Sequence, residues 1–361
     1  MVIKLWKCLV ISSLLLIILA LAWGCGNNYG DNPAQFVFLY FSDTQADPDT
    51  EDYTKLGELM TGSVTQEQIP SLVIFGGDTV NDGGYPDEWH DFWQVASRLD
   101  DLTTAAVAGN HDNHPLLTEQ FDYPAKAPSA PGDGFFYSLN MEGVYFLMLD
   151  SNVMGAGRRE DVQWLRSELE SDKARQATWR IVVMHHPMWP IVDNQKDIDR
   201  AETMREHFLP VMEEYGVDLI LCGHQHLYAR SVPMKGKTSA GEDGGIVQIM
   251  AASGDKQSYV TGENTDFIAV DAQSPNYLLI SADNVAFKVT AYGEDQQPFD
   301  SFILTTQKEL HEALKETSSP LPDITEPFTH IYSTVNNWPA WSGQAALHLG
   351  RERANSPVKN V

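Results

Sequence analysis

Cysteine is scarce in this chain. Three in 361 residues, Cys8, Cys25 and Cys222, cannot build a disulfide framework, so the fold must rest on a buried apolar core. Basic residues are short as well: 24 Lys and Arg stand against 50 Asp and Glu, a formal net charge of −26. A surface that acidic repels phosphate backbones, which argues against general nucleic-acid binding and fits solubility outside the cytoplasm. No internal repeat is visible, so the chain is not a repeat array. Only residues 9–21 form a long and almost unbroken apolar stretch, which is short for a comfortable membrane span.

That stretch follows Lys4 and Lys7 and ends in Leu21-Ala22-Trp23-Gly24-Cys25. Residues 1–24 have the layout of a secretory signal. Cys25 directly after Gly24 resembles the lipobox of bacterial lipoproteins, which implies lipid modification of Cys25 and an N-terminal membrane anchor. Residues 25–34 then read as a tether, 35–306 as the folded domain, and the Pro- and Ser-rich 307–361 as an appended tail without chemistry.

Within the domain one design recurs. Phe36–Phe41 leads into Ser42-Asp43-Thr44-Gln45, and Leu72–Phe75 into Gly76-Gly77-Asp78. Residues 105–108 lead into Gly109-Asn110-His111-Asp112, residues 181–184 into His185-His186-Pro187, and Leu219–Cys222 into Gly223-His224-Gln225-His226. Helical periodicity falls between the runs, at 160–170 and 204–215. Strands alternating with helices predict an α/β sheet, and runs such as Val182-Val183-Met184 predict strands covered on both faces. Residues 245–251, 276–281 and 285–291 lack long helices between them and read as a more antiparallel group, closed by a strand over 299–304.

In open α/β sheets the ligand site lies beyond the carboxyl ends of the strands, so these five ends should converge. A lone His or a Gly-Asp turn is usually structural. Five such ends together would leave carboxylates and imidazoles repelling or unpaired without a cation. Oxygen and imidazole donors without thiolate suit Mn, Fe or Zn, and the set is too large for one ion, which points to two metals sharing a carboxylate.

Asp43-x-Gln45, Gly77-Asp78-x-x-Asn81, Gly109-Asn110-His111-Asp112, Val182-x-x-His185-x-Pro187 and Gly223-His224-x-His226 resemble, in order, the blocks of the calcineurin-like metallophosphoesterases. His226-Leu227-Tyr228-Ala229-Arg230, Gln163-Trp164-Leu165 and Asp300-Ser301-Phe302 extend the likeness toward the purple acid phosphatase branch. The resemblance implies a four-layer α/β/β/α sandwich and two metal ions bridged by Asp78. Asp43 and His226 would hold the first, and Asn110, His185 and His224 the second. His111 would protonate the leaving group as a general acid held by Asp112, while a hydroxide held by the metals attacks phosphorus in line.

Two positions depart from the family. Gln45 stands where most relatives have His and the purple branch has Gly; its amide oxygen is expected to ligate, more weakly than imidazole. Asn81 replaces the tyrosinate of purple enzymes, so no Fe(III)–tyrosinate band is expected. His114 and His186 face substrate or are loop residues, Tyr228 and Arg230 pack or pair beneath the site, and Cys222 is a small buried hydrophobe. The expected protein is an exported phosphoesterase acting on a small phosphorylated substrate. A surface binding lipoprotein with a degenerate site and an exported nuclease remain as alternatives.

Overall fold

The computed structural model describes residues 36–306 except 47–52, 65–68, 113, 126–134, 242–243, 257–258, 263–264, 266 and 274, together with 331–333. The signal, the tether and all but three residues of the tail lie outside the described residues. Among the described residues no helix is long and apolar enough to cross a membrane.

The chain opens one sheet with β1 (Phe36–Phe41), β2 (Leu72–Phe75) and β3 (Thr104–Ala106). It crosses to a second sheet for β4 (Tyr137–Met141), β5 (Val144–Leu149), β6 (Trp179–Met184), β7 (Leu219–Cys222) and β8 (Leu227–Ser231). A hairpin of β9 (Met234–Lys235) and β10 (Thr238–Ser239) precedes β11 (Val247–Met250) and β12 (Ile268–Gln273). The first sheet is then completed by β13 (Asn276–Ala282), β14 (Ala286–Gly293), β15 (Pro298–Thr305) and, from the tail, β16 (Ile331–Ser333). The orders are β16-β15-β14-β13-β1-β2-β3 and β12-β8-β11-β7-β6-β5-β4. β1, β2 and β3 run parallel, as do β5, β6, β7 and β11, while β13, β14 and β15 pair antiparallel. The parallel heart matches expectation, and so does the antiparallel group of 276–282, 286–293 and 298–305. The run over 245–251 does not join that group, because β11 lies in the second sheet, parallel to β7 and antiparallel only to β8.

Side-chain alternation builds four layers from these two sheets. Along β1, Phe36, Phe38 and Tyr40 point into a core shared with Phe146, Ile181 and Leu219 of the other sheet. Leu39 and Phe41 point the opposite way, onto α1 (Thr54–Ser63) and α2 (Pro86–Val95), through Leu56, Met60, Trp89 and Phe92. The outer face of the second sheet, with Leu147, Val182 and Ile220, is covered by α3 (Arg159–Leu169), α4 (Gln195–His207) and α5 (Leu209–Glu214) through Leu165, Met204 and Met212. Strands buried on both faces read as continuous apolar runs, which is why they were legible.

The helix expected over 204–215 is two helices. Phe208 ends α4 and Pro210 lies at the start of α5, where its missing N–H costs nothing but would break a continuous helix. The run 105–108 is a strand only as far as Ala106, although Val107 still donates to the Phe75 carbonyl at 3.0 Å.

Candidate metal centre

The turns after β1, β2, β3, β6 and β7 meet at one end of the sandwich. Asp43, Asp78 and His226 present ligand atoms all within 4.8 Å of one another, and so do Asp78, His185 and His224. The two groups share Asp78. Of six non-glycine residues with positive φ among the described residues, four are Asp43 (49°), Asp78 (51°), His224 (73°) and His226 (49°). Left-handed backbone is costly for side chains of this kind, and it persists here because tight turns aim them inward. Glycines make those turns possible. A Cβ on Gly223 would lie 1.9 Å from Ser42 Oγ, and one on Gly109 would lie 2.1 Å from Asp78 Oδ1.

Main-chain donors fix the carboxylates. Both oxygens of Asp43 accept from the His224 N–H, at 2.9 and 2.8 Å, and Oδ2 also accepts from Ser42 Oγ at 2.9 Å. Asp78 Oδ1 accepts from the His111 N–H at 2.8 Å. His185 donates from Nδ1 to the Gly76 carbonyl at 3.0 Å, so Nε2, 3.2 Å from Asp78 Oδ2, is the nitrogen that would carry the lone pair once the ring is neutral. That Nε2 is buried without a hydrogen-bond partner. His224 bonds through Nε2 to Asp197 Oδ1 at 2.9 Å, which as a neutral ring leaves Nδ1 with the free lone pair.

The electrostatics show a centre short of positive charge. Burial, joined by the Asp78 charge, pushes Asp43 up to about 7. Burial also works against an ionised Asp78, but His185 beside it outweighs this and holds it well below the usual carboxylate range. His185 is buried too, which disfavours its cation, yet the Asp78 charge lifts it to about 9. Burial lowers His224 despite Asp197, keeping the ring neutral as a ligand must be. An orphaned imidazole nitrogen, two crowded buried carboxylates and a thiolate-free donor set fit two oxygen- and nitrogen-seeking cations.

Other expected site residues are placed differently. Asp112 does not touch the His111 ring. Its carboxylate accepts from the backbone N–H groups of Gly109 (2.9 Å), Asp78 (2.8 Å) and Thr79 (3.1 Å), tying two turns together. The hold on His111 expected of this catalytic candidate is therefore not what the carboxylate makes; it braces the turns after β2 and β3. The His111 ring is held instead by the Asn81 carbonyl, which accepts from Nδ1 at 2.6 Å. Asn81 is steadied in turn by Glu88, whose Oε2 accepts from the Asn81 N–H at 2.8 Å. Gln45 is fully buried, but its Oε1 accepts from Lys256 Nζ at 2.7 Å and its Nε2 donates to the Val80 carbonyl at 3.4 Å, so its oxygen is already engaged. Asn110 stands exposed on its turn.

His186 is a buried neutral ring whose Nδ1 lies 2.8 Å from Ser151 Oγ and which packs on His224. The His114 side chain lies outside the described residues. Tyr228 and Arg230 converge on Asp300, each at 2.6 Å, and pin β8 to β15 across the two sheets. Cys222 is wholly buried. Asp197, Lys256 and Tyr259 were not anticipated. An Asp in the first turn of α4 reads as ordinary dipole compensation, and nothing in the local sequence of 253–260 marks it as reaching this site.

The calcineurin-like phosphoesterase family model matches residues 36–228, which contain every one of these turns. The chain belongs to the calcineurin-like phosphoesterase family. It is similar to a purple acid phosphatase of Glycine max, 29% identical over 175 residues, which are 44% of this chain and 37% of that relative. This and other curated relatives place it on the purple acid phosphatase-like branch. The chain thus spans little more than a third of the length of such relatives. The fold is shared with a purple acid phosphatase from yellow lupin (Lupinus luteus) seeds, at TM-score 0.61 and 17% identity over 76% of this chain and 54% of that one. It is also shared with GAP50, the anchor in the inner membrane complex of Plasmodium, at TM-score 0.57 and 15% identity over 74% of this chain and 88% of that one. Likeness at these identities shows the fold alone.

Proposed function

We propose that this protein hydrolyses phosphate mono- or diesters with two metal ions bridged by Asp78. The observation that carries the reading is the pair of ligand groups sharing that one carboxylate, with the buried Nε2 of His185 aimed into them. Asp43 and His226 would complete the first subsite, and His185 and His224 the second, with exposed Asn110 at its rim. When bound, the two ions supply Lewis-acid charge and an acidified water for in-line displacement. The chain's own part is proton delivery. With Nδ1 donating to the Asn81 carbonyl, the ring of His111 is oriented to offer Nε2–H to the leaving oxygen.

Hydrolysis of an aryl phosphate with Mn²⁺, comparing wild type with Asp78→Ala and His111→Ala, tests this. Absence of metal-dependent turnover on both mono- and diesters would sink it and favour a binding protein. The apolar stretch before Cys25 supports a further reading, export with a lipid on Cys25, and mass spectrometry of the mature N-terminus decides it.

A further inference from the structure

We propose that Lys256 binds the substrate phosphate. The inference rests on the phosphoesterase reading and deepens it by naming the side chain that engages the oxygen left over by the two metals.

The segment carrying Lys256 is clamped to the Asp43 turn. Ser253 N–H donates to the Ser42 carbonyl at 2.7 Å, and Gly254 N–H donates to the Asp43 carbonyl at 2.8 Å. A Cβ at Gly254 would lie 2.3 Å from the Gln45 carbonyl oxygen, so the approach requires glycine. Asp255 is tied to Lys55 at 2.8 Å. Further along, the ring of Tyr259 lies 5.1 Å from that of His226, which brings the segment over the first subsite while the tyrosine stays 47% exposed. Lys256 is thus held at the edge of the centre from both sides.

Its ammonium has three donors, and among the described residues one hydrogen bond is made, to Gln45 Oε1. That amide occupies the family's usual ligand position. Instead of a metal it holds a half-buried cation and leaves two N–H donors to spare. A phosphate monoester has three non-bridging oxygens and carries close to two negative charges near neutral pH. Two metal subsites account for two of those oxygens, and the third has a partner in Lys256. A diester has only two non-bridging oxygens and one charge, so it gains far less from the lysine.

The test uses the full-length chain loaded with Mn²⁺, as wild type, Lys256→Met and Lys256→Arg. Calorimetry reads the affinity for inorganic phosphate, and kcat/KM is measured for p-nitrophenyl phosphate and bis(p-nitrophenyl) phosphate. Loss of a charge-assisted hydrogen bond predicts that Lys256→Met weakens phosphate binding about tenfold and lowers monoester kcat/KM by roughly ten- to a hundredfold. The diester value should stay within about threefold, and Lys256→Arg should recover most of the loss, because it keeps the charge and donors. Thermal melting confirms that the variants are folded. Equal phosphate affinity in wild type and Lys256→Met overturns the inference, as does a parallel fall on both esters. If phosphate binding depends on Lys256 but wild type hydrolyses neither ester, the phosphoesterase reading fails, and with it the substrate role of Lys256, while the phosphate contact itself is shown.

Discussion

In the proposed two-metal centre, the first subsite draws Asp43, Asp78 and His226 from buried positions, whereas the second takes Asp78 and His185 from burial but His224 from a partly open one. The means of support differ too. Asp43 is fixed by main-chain and hydroxyl donors a few atoms away, and Gln45 and Lys256 close the edge beside it. The second subsite depends on ring orientation set from outside: His185 by the Gly76 carbonyl, His224 by Asp197 on α4. One half is a pocket made by turns. The other is a pair of rings whose aim depends on partners further out. The first should therefore hold its ion more tightly, and the second should be the side open to solvent and the easier one to disturb.

The most damaging way to abolish the difference is to remove what the halves share. Asp78→Asn keeps an oxygen for the His111 N–H but loses the bridging charge. Both ions should be lost by elemental analysis, and hydrolysis should fall at least about 10³-fold, the scale of several kcal/mol of charge stabilisation. Two ions still bound would show that Asp78 is not the bridge. Asp197→Asn should separate the halves instead. Outer carboxylates on ligating histidines are worth roughly 10- to 100-fold in metal affinity, so the weaker of two binding steps should weaken by that much while the tighter one holds. Equal weakening of both steps would erase the distinction between the subsites.

Much of this was legible without coordinates, for identifiable reasons. Strands buried on both faces are apolar runs, and turns that aim ligands need glycine or polar residues, so Asp43, Asp78, His185, His224 and His226 stood out at strand ends. What escaped notice depends on tertiary contact. Asp197 meets His224 across 27 residues and Lys256 meets Gln45 across 211, and neither carries a local pattern. Asp112 was expected to hold His111, as the family resemblance implied, whereas its carboxylate spends its oxygens on three backbone N–H groups. The break at Phe208 was hidden because apolar periodicity continues through Pro210.

A pH experiment sharpens the charge side of the comparison. In the metal-free protein Asp43 and Asp112 sit near 7 against an ordinary 3.8, both chiefly through burial, so the folded state holds more protons than the unfolded chain between those values. Their contribution therefore disfavours folding progressively as pH rises from about 4 to 7. His185, near 9 against 6.5, adds stability that is complete below 6.5 and lost as pH climbs through 9. Asp78 runs the other way, but its contribution is lost only in strong acid, outside this window. Metal-free protein should thus melt roughly 5 °C lower at pH 9 than at pH 5, and Mn²⁺ should flatten the slope by replacing protons with ions. A metal-free melting temperature that rises across this range would contradict the charge balance drawn for the centre.

The smallest expected effect comes from placing at the first subsite the His that most relatives outside the purple branch carry there. Gln45→His removes the amide that holds Lys256 and offers an imidazole where the amide oxygen is already taken. Because Asp43, Asp78 and His226 already form a buried group, an added ligand worth about 1 kcal/mol should tighten the stronger binding step only about fivefold. The weaker step, supported by Asp197 and Gly76, should not move. The released ammonium would at the same time loosen phosphate binding, so affinity for metal should rise while affinity for phosphate falls. Both moving in the same direction would mean that Gln45 and Lys256 do not act on separate ligands, and the division of labour assigned to that edge would be wrong.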